Sequence, residues 1–139
     1  MSFSTLDHTA DAALRIAART LGGLVSSSVA GLVSLLGEAP GQSPRRTVAF
    51  SMTRQTAEEL VVDLCNELLF AWEVERWLPL KARCRVRGKG PFHLRASVDF
   101  AQVGPQFSPE SVIKAATYGR MRIEQDETGR FVTTMIFDM

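Results

Sequence analysis

The sequence predicts an α+β domain in which a largely antiparallel sheet packs against two main helices. Two stretches in the first half of the 139-residue chain repeat apolar residues at helical spacing. The second half alternates apolar and polar residues with a period of two, which is typical of half-buried strands. Helices that cluster early and strands that cluster late favour an α+β fold over alternating βαβ units. The length is that of one domain, so we expect residues 1–139 to form a single domain.

The first half contains a short apolar strand at residues 12–17 and both helices. Thr20 can cap the first helix, and Gly37 is a plausible residue to end it. Thr56 and Glu59 fit a capping box at the start of the second helix, where each satisfies a free backbone N–H of the other. The predicted apolar stripes are Leu21, Leu24, Val25, Val29, Leu32, Val33 and Leu36 in the first helix, and Leu60, Val61, Leu64, Cys65, Leu68, Leu69 and Trp72 in the second.

The remaining strands are predicted from alternation between turn signals. Residues 80–87 and 92–99 are predicted to form a hairpin around a glycine-rich turn, with one buried and one solvent-exposed face. Residues 47–52 precede the second helix and are also a strand candidate. Three further extended segments follow the hairpin, at residues 112–118, 121–124 and 131–138.

The predicted solvent-exposed face of this hairpin carries a row of basic side chains. This row has two interpretations. A charged wet face is usual for a half-buried sheet, and charges on edge strands prevent aggregation. Alternatively, neighbouring basic residues form one positive surface that meets phosphate or an acidic protein. The residues of this possible interaction face are Lys81, Arg83, Arg85, Arg87 and Arg95.

Composition excludes several classes of protein. Sixteen basic and fifteen acidic residues give a net charge of +1, so no global field marks a nucleic-acid binder. No unbroken apolar stretch suits a signal peptide or a membrane span. Cys65 and Cys84 sit in apolar patterns and are expected to be buried thiols of a reducing compartment. We therefore expect a cytoplasmic protein with no membrane partner.

Acidic groups stand at both ends of the chain. Asp7 and Asp11 flank His8 just before the first apolar strand, and Asp138 adjoins the terminal carboxylate of Met139. If the strands that carry these ends are neighbours, Asp11, Asp138 and Met139 could supply three oxygen donors to Ca²⁺ or Mg²⁺. Otherwise the aspartates are ordinary turn residues and a solvated tail.

Four segments resemble the archease family in order and spacing. They are residues 3–11 with Asp7-His8-Thr9-Ala10-Asp11, residues 66–70 with Glu75, residues 113–118 and residues 136–138. The resemblance implies a divalent cation held by Asp11, Asp138 and Met139, with Asp7, His8 and Lys114 in supporting positions. The sequence departs from the family pattern at Gly119, where many members have histidine, and at Ala12 and Ala13.

The resemblance also implies a function. Archeases are protein cofactors of the RtcB-type RNA ligase in tRNA splicing and RNA repair, and they promote its guanylylation and multiple turnover. We therefore expect an accessory protein, not an enzyme. It would dock transiently on such a ligase, use Ca²⁺, Mg²⁺ or Mn²⁺, and meet RNA or GTP through the ligase.

Two other functions stay open at this point. One is an RNA-binding or chaperone-like module that uses the basic face between Lys81 and Arg95. The other is a divalent-metal-dependent hydrolase of phosphoesters or nucleotides. No nucleophile paired with a base and no phosphate-binding glycine loop stands out to favour a stand-alone enzyme.

Overall fold

The computed structural model describes residues 2–5, 11–119 and 121–139. Within these ranges the chain forms two helices and two antiparallel sheets. The helices are α1 (Leu21–Leu36) and α2 (Ala57–Glu75). The strands are β1 (Ser2–Thr5), β2 (Ala12–Ala18), β3 (Arg45–Arg54), β4 (Trp77–Gly88), β5 (Phe92–Gln102), β6 (Ala115–Thr117), β7 (Glu124–Gln125) and β8 (Phe131–Asp138).

The strands divide into two sheets. A five-stranded sheet has the order β1-β2-β8-β6, with β7 also paired to β8, and a three-stranded sheet has the order β3-β5-β4. Every pairing is antiparallel. The α+β class, the two helices and the antiparallel pairing are thus confirmed. The division into two sheets was not predicted, because alternation shows which face of a strand is buried but not which strand is its neighbour.

Both helices begin, and α1 ends, where the sequence predicts. The Thr20 side chain accepts a hydrogen bond from the Gly23 N–H at 2.9 Å, and Gly37 ends α1 with a φ of 107°. At the start of α2 the Glu59 N–H donates to the Thr56 hydroxyl oxygen at 3.2 Å. The Thr56 N–H donates in turn to the Glu59 carboxylate at 3.2 Å, which completes the capping box.

The late strands are less accurately predicted than the helices. The last strand has the expected bounds, whereas β3, β4 and β5 extend beyond theirs. The predicted strand at residues 112–118 is wrong outside the three residues of β6. Ala115 pairs with Asp138, the last residue of β8, so the residues before Ala115 have no strand beside them with which to pair.

The predicted strand at residues 121–124 is also mostly wrong. Only Glu124 is in a strand, as the first residue of β7. The N–H of Met121 donates to the Tyr118 carbonyl, which forms a turn. The N–H of Ile123 donates to the Glu58 carboxylate on α2 at 3.0 Å. These backbone donors are therefore used by a turn and by a helix side chain rather than by a sheet.

The core lies where the helices meet both sheets. Helix α1 contacts β4 of the smaller sheet and β2 and β8 of the larger one, and α2 contacts β3, β4, β5 and β6. Because α2 contacts strands of both sheets, more of its surface is buried than one stripe. Val62, outside the predicted stripe, is therefore fully buried. The predicted stripe of α1 is buried except for Leu21 and Val33, which are half-buried. The buried Ser28 hydroxyl is satisfied because it donates to the Leu24 carbonyl at 2.8 Å.

The two cysteines are free thiols, of which Cys65 is buried and Cys84 half-buried. Burial, with a smaller contribution from the nearby Cys84, raises the pKa of the Cys65 thiol to about 12. Burial also raises the pKa of Cys84, against a hydrogen bond with Ser26 that lowers it. Both thiols are thus poor nucleophiles at neutral pH.

Helix α1 approaches the backbone of β4 closely at Gly22. A Cβ atom at this position would lie 2.6 Å from the Cys84 carbonyl oxygen and 3.3 Å from the Arg85 Cα. Both atoms belong to the backbone of a paired strand and cannot rotate away. The glycine therefore sets the distance between α1 and the strand that carries the basic row.

We expect Gly22→Ala to lower the free energy of unfolding by about 1–3 kcal/mol, the usual cost of overpacking. Gly41→Ala is the control, since a Cβ there meets nothing within 4 Å. Urea unfolding followed by circular dichroism measures both variants. Equal stability of the two would contradict the close approach.

Candidate functional site

Asp11, just before β2, and Asp138, the last residue of β8, lie at the same end of the strands of the five-stranded sheet, which is called the acidic edge here. Strand β8 lies between β2 and β6, with Ala12 paired to Phe137 and Ala115 paired to Asp138. Asp11 directly precedes Ala12, so it reaches the same edge as Asp138. The hypothesis that the strand after Asp11 and the last strand are neighbours is confirmed.

Strand alternation directs both aspartates away from the core. Ala12 and Phe137 are fully buried, and their neighbours Asp11 and Asp138 are half-buried and exposed respectively. The half-buried Met139 side chain packs against the core. This packing restrains the last residue beside Asp138.

Lys114 lies at the same edge of the sheet. Its backbone N–H donates to the Asp138 carbonyl at 2.7 Å, and its side chain is exposed. The preceding Ile113 is buried and anchors the segment. The edge therefore combines an ammonium group with the carboxylates of Asp11, Asp138 and the chain end.

Helix α2 holds β6 in place through Asn66. The Ala116 N–H donates to the Asn66 side-chain oxygen at 2.7 Å, and the Asn66 side-chain N–H donates to the Ala116 carbonyl at 3.0 Å. Asn66 lies in one of the segments that resemble the family, but the resemblance implies no role for it. The available signal was an amide side chain directly beside the apolar stripe of α2, where a polar group needs a partner.

A second tether joins α2 to the residues after β6. Asp63 accepts from Arg54 Nε at 2.7 Å and from the Tyr118 hydroxyl through its other oxygen. Gly119 follows with a φ of 41°, in the left-handed region that glycine adopts readily. This Arg54–Asp63–Tyr118 cluster was not predicted, because its members come from β3, α2 and the segment after β6.

The donor set suits a hard divalent cation, although the described side chains do not complete its coordination. Two aspartate carboxylates and the terminal carboxylate are the oxygen donors that Ca²⁺, Mg²⁺ and Mn²⁺ prefer. Among residues 11–119 and 121–139, no three His, Cys, Asp or Glu side chains are arranged to hold a metal. The predicted neighbours Asp7 and His8 lie outside the described residues. The ion pairs of the described part involve none of Asp11, Lys114 and Asp138.

The predicted basic residues lie on the other, smaller sheet. Lys81, Arg83, Arg85 and Arg87 alternate along β4, and Arg95 lies on β5 directly opposite Arg85. All five are exposed. The structure thus brings the row together on one face, separate from the acidic edge.

Comparison with known proteins identifies the family. The model of the Archease protein family matches residues 3–139. The chain belongs to the archease family. Protein archease of Methanosarcina acetivorans is 26% identical over 133 residues, which cover 91% of this chain and 89% of the relative. Protein archease of Methanopyrus kandleri is 25% identical over 141 aligned residues. This alignment covers 100% of this chain and 100% of the relative.

A solved structure supports the fold. The solution structure of protein 1598 of Methanobacterium thermoautotrophicum is similar with a TM-score of 0.75 and 20% identity, over 99% of this chain and 98% of that one. Membership of the archease family supports an accessory role. None of the helices in the described part of the chain is sufficiently long and apolar to span a membrane.

The Asp63–Tyr118 hydrogen bond can be measured directly, because Tyr118 is the single tyrosine of the chain. The hydrogen bond to Asp63, together with burial, raises the pKa of Tyr118 to about 12 from the usual 10.0. Since the folded pKa lies above the unfolded one, this contribution to stability is fully present below pH 10 and is lost as the pH rises towards 12.

We expect tyrosinate absorbance in the native protein to develop later with rising pH than in guanidinium-unfolded protein. In Asp63→Asn the titration should shift back towards the unfolded curve. Glu67→Gln, on the exposed face of α2, serves as the control and should titrate as the parent does. Coincident curves for parent and Asp63→Asn would rule out the hydrogen bond.

Proposed function

We propose that this chain is an accessory protein that activates an RtcB-type RNA ligase and promotes its guanylylation and multiple turnover in tRNA splicing or RNA repair. Membership of the archease family supports the accessory part of this proposal. The observation that carries it further is the convergence of Asp11, Lys114, Asp138 and the Met139 carboxylate at one sheet edge. The protein would act in the cytoplasm and would not itself be the enzyme.

In this proposal Asp11, Asp138 and the Met139 carboxylate hold the divalent cation, and Asp7 and His8 support them. A bound cation would offset the negative charge of phosphate groups. The strand order keeps the three carboxylates together although they come from opposite ends of the chain. Packing of the Met139 side chain against the core restricts the terminal carboxylate, which lowers the entropy that ion binding would cost.

Lys114 would contribute a positive charge beside the carboxylates. Its backbone is fixed by the hydrogen bond to Asp138, while its exposed side chain is free to reach a phosphate of the nucleotide or an acidic group of the ligase. An exposed edge of this kind suits presentation to a partner, whereas small-molecule substrates are usually enclosed in a concave pocket. RNA and GTP would therefore be met through the docked ligase.

We expect the protein alone to bind Mn²⁺ or Ca²⁺, and Asp11→Asn and Asp138→Asn to bind the ion far more weakly. The loss should exceed the roughly 10–100-fold that removal of an outer-shell partner costs. One glycine added after Met139 should also weaken binding, because it moves the terminal carboxylate without altering a side chain. Isothermal titration calorimetry measures each affinity, with Glu67→Gln as the matched loss of a negative charge. Unchanged affinity in both aspartate variants would refute the proposed ligand set.

We expect the parent protein to accelerate guanylylation of the cognate RtcB-type ligase in the presence of GTP and Mn²⁺. Asp11→Asn, Asp138→Asn and Lys114→Gln should reduce the rate towards that of the ligase alone. Lys89→Gln is the control for Lys114, since Lys89 lies exposed in the turn between β4 and β5. The covalent ligase–GMP adduct is quantified with radiolabelled GTP.

Two outcomes of this assay would count against the proposal. Stimulation that persists in all three variants would separate activation from the acidic edge. Hydrolysis of GTP or of a phosphoester by this protein with no ligase present would instead favour a metal-dependent hydrolase.

A further inference from the structure

The three-stranded sheet has one covered and one open face. Its covered face carries Leu94, Val98 and Phe100, which are buried under the helices. Its open face follows from the register, in which residues directly opposite one another lie on the same side. The open face consists of four rows: Thr47, Asp99 and Lys81; Ala49, Ser97 and Arg83; Ser51, Arg95 and Arg85; and Thr53, His93 and Arg87.

Charge is concentrated on this open face. Five basic residues and one acidic residue give it a net charge of +4, whereas the whole chain carries +1. All other residues together therefore carry −3. The single acid, Asp99, accepts two hydrogen bonds from Arg83 at 3.0 Å and one from Thr47 at 2.8 Å. These contacts, Arg83 first, lower the pKa of Asp99 to about 2, so it stays ionised and paired.

No ion pair within the described ranges involves Lys81, Arg85, Arg87 or Arg95. Arg85 and Arg95 lie directly opposite each other, a like-charge arrangement that disfavours strand pairing. An anion lying between the two guanidinium groups would remove this repulsion.

Protection of sheet edges explains only part of the pattern, because four of the five basic residues lie on the edge strand β4 and the fifth does not. Charges that prevent aggregation belong on edge strands, which here are β3 and β4. Arg95 lies on β5, the central strand. The other edge strand, β3, presents the uncharged residues Ala49 and Ser51 on this face. The charges instead form a band from Lys81 to Arg95 across two strands.

The surface between these charges is recessed and lined with hydroxyl groups. A depression of about 480 Å³ is lined by Ser51, Ser97, Arg83, Arg85 and Arg95, among others. A second, of about 420 Å³, shares Ser51, Arg85 and Arg95 with the first and adds Thr53, Arg87 and His93. Arginine, serine and threonine side chains are common donors to phosphate oxygens.

We propose that this open face binds the phosphate backbone of a single-stranded nucleic acid, independently of base sequence. Alternate residues of β4 repeat about every 6.8 Å, a spacing comparable to that of successive phosphates along an extended strand. The four rows contain no Phe, Tyr or Trp on which bases could stack, so the contacts are to the backbone. The choice of RNA as the natural strand rests on the proposed function, whereas the phosphate contact does not.

The test uses the full chain alone, with EDTA and without any ligase, so its result does not depend on the acidic edge. A fluorescein-labelled mixed-sequence RNA of about 12 nucleotides, within the usual site sizes for single strands, is titrated by anisotropy over a range of salt concentrations. The variant is Arg85→Gln/Arg87→Gln/Arg95→Gln. The control, Arg15→Gln/Arg19→Gln/Arg122→Gln, removes the same charge from exposed positions elsewhere.

We expect the parent and the control to bind the RNA with a similar dependence on salt. Loss of three phosphate contacts should reduce the slope of log K against log salt by about 2 in the test variant. If that variant does not fold, Ser51→Glu places a negative charge in both depressions and should weaken binding. Arg85→Lys/Arg95→Lys keeps the charge and should retain the salt slope.

Several results would overturn the proposal. Equal loss of affinity in the test and control variants would mean that binding follows overall charge and not this face. Polyglutamate that displaces the RNA as well as unlabelled RNA does would indicate an acidic protein partner. Full displacement by inorganic phosphate at constant ionic strength would indicate a site for the free anion.

Discussion

The antiparallel pairing of β2 with β8 is the constraint on which the rest of the structure depends. It joins β2, near the start of the chain, to β8, near its end. Strand β8 in turn pairs with β6 and β7, so the pairing connects all five strands of the larger sheet. Its register is strongly specified, because a shift of one residue would expose the buried Leu14 and Met135 and turn polar neighbours inwards. The same register that buries Ala12 against Phe137 brings Asp11 and Asp138 to one edge. Core packing and site geometry are therefore consequences of one pairing.

The helices extend this constraint to the smaller sheet. Helix α2 contacts β3, β4 and β5 and also holds β6 through Asn66, so the acidic edge and the basic face share one rigid element. Helix α1 approaches β4 closely at Gly22 while packing on β2. The acidic edge and the basic face thus lie on different sheets around a common core. This separation lets a near-neutral chain present two surfaces of opposite sign.

Features that depend on local sequence could be predicted well. The Thr20 and Thr56 caps, the capping box and the bounds of β8 depend on a few neighbouring residues and were confirmed. Features that depend on a distant partner could not. The length of β6 is limited by the end of β8 at Asp138, and the contacts of Asp63 join residues from β3, α2 and the segment after β6. Periodicity carries no information about such partners.

The sequence by itself determined the helices, the alternation of the strands and the candidate residues Asp11, Lys114, Asp138 and Met139. It did so because the hydrophobic period, the capping residues and the family pattern each depend on the order of residues along the chain. Only the tertiary structure decided that these residues share an edge and that Arg95 lies opposite Arg85. Both facts are set by strand order and register. Those in turn follow from burying the apolar faces of distant segments in one core.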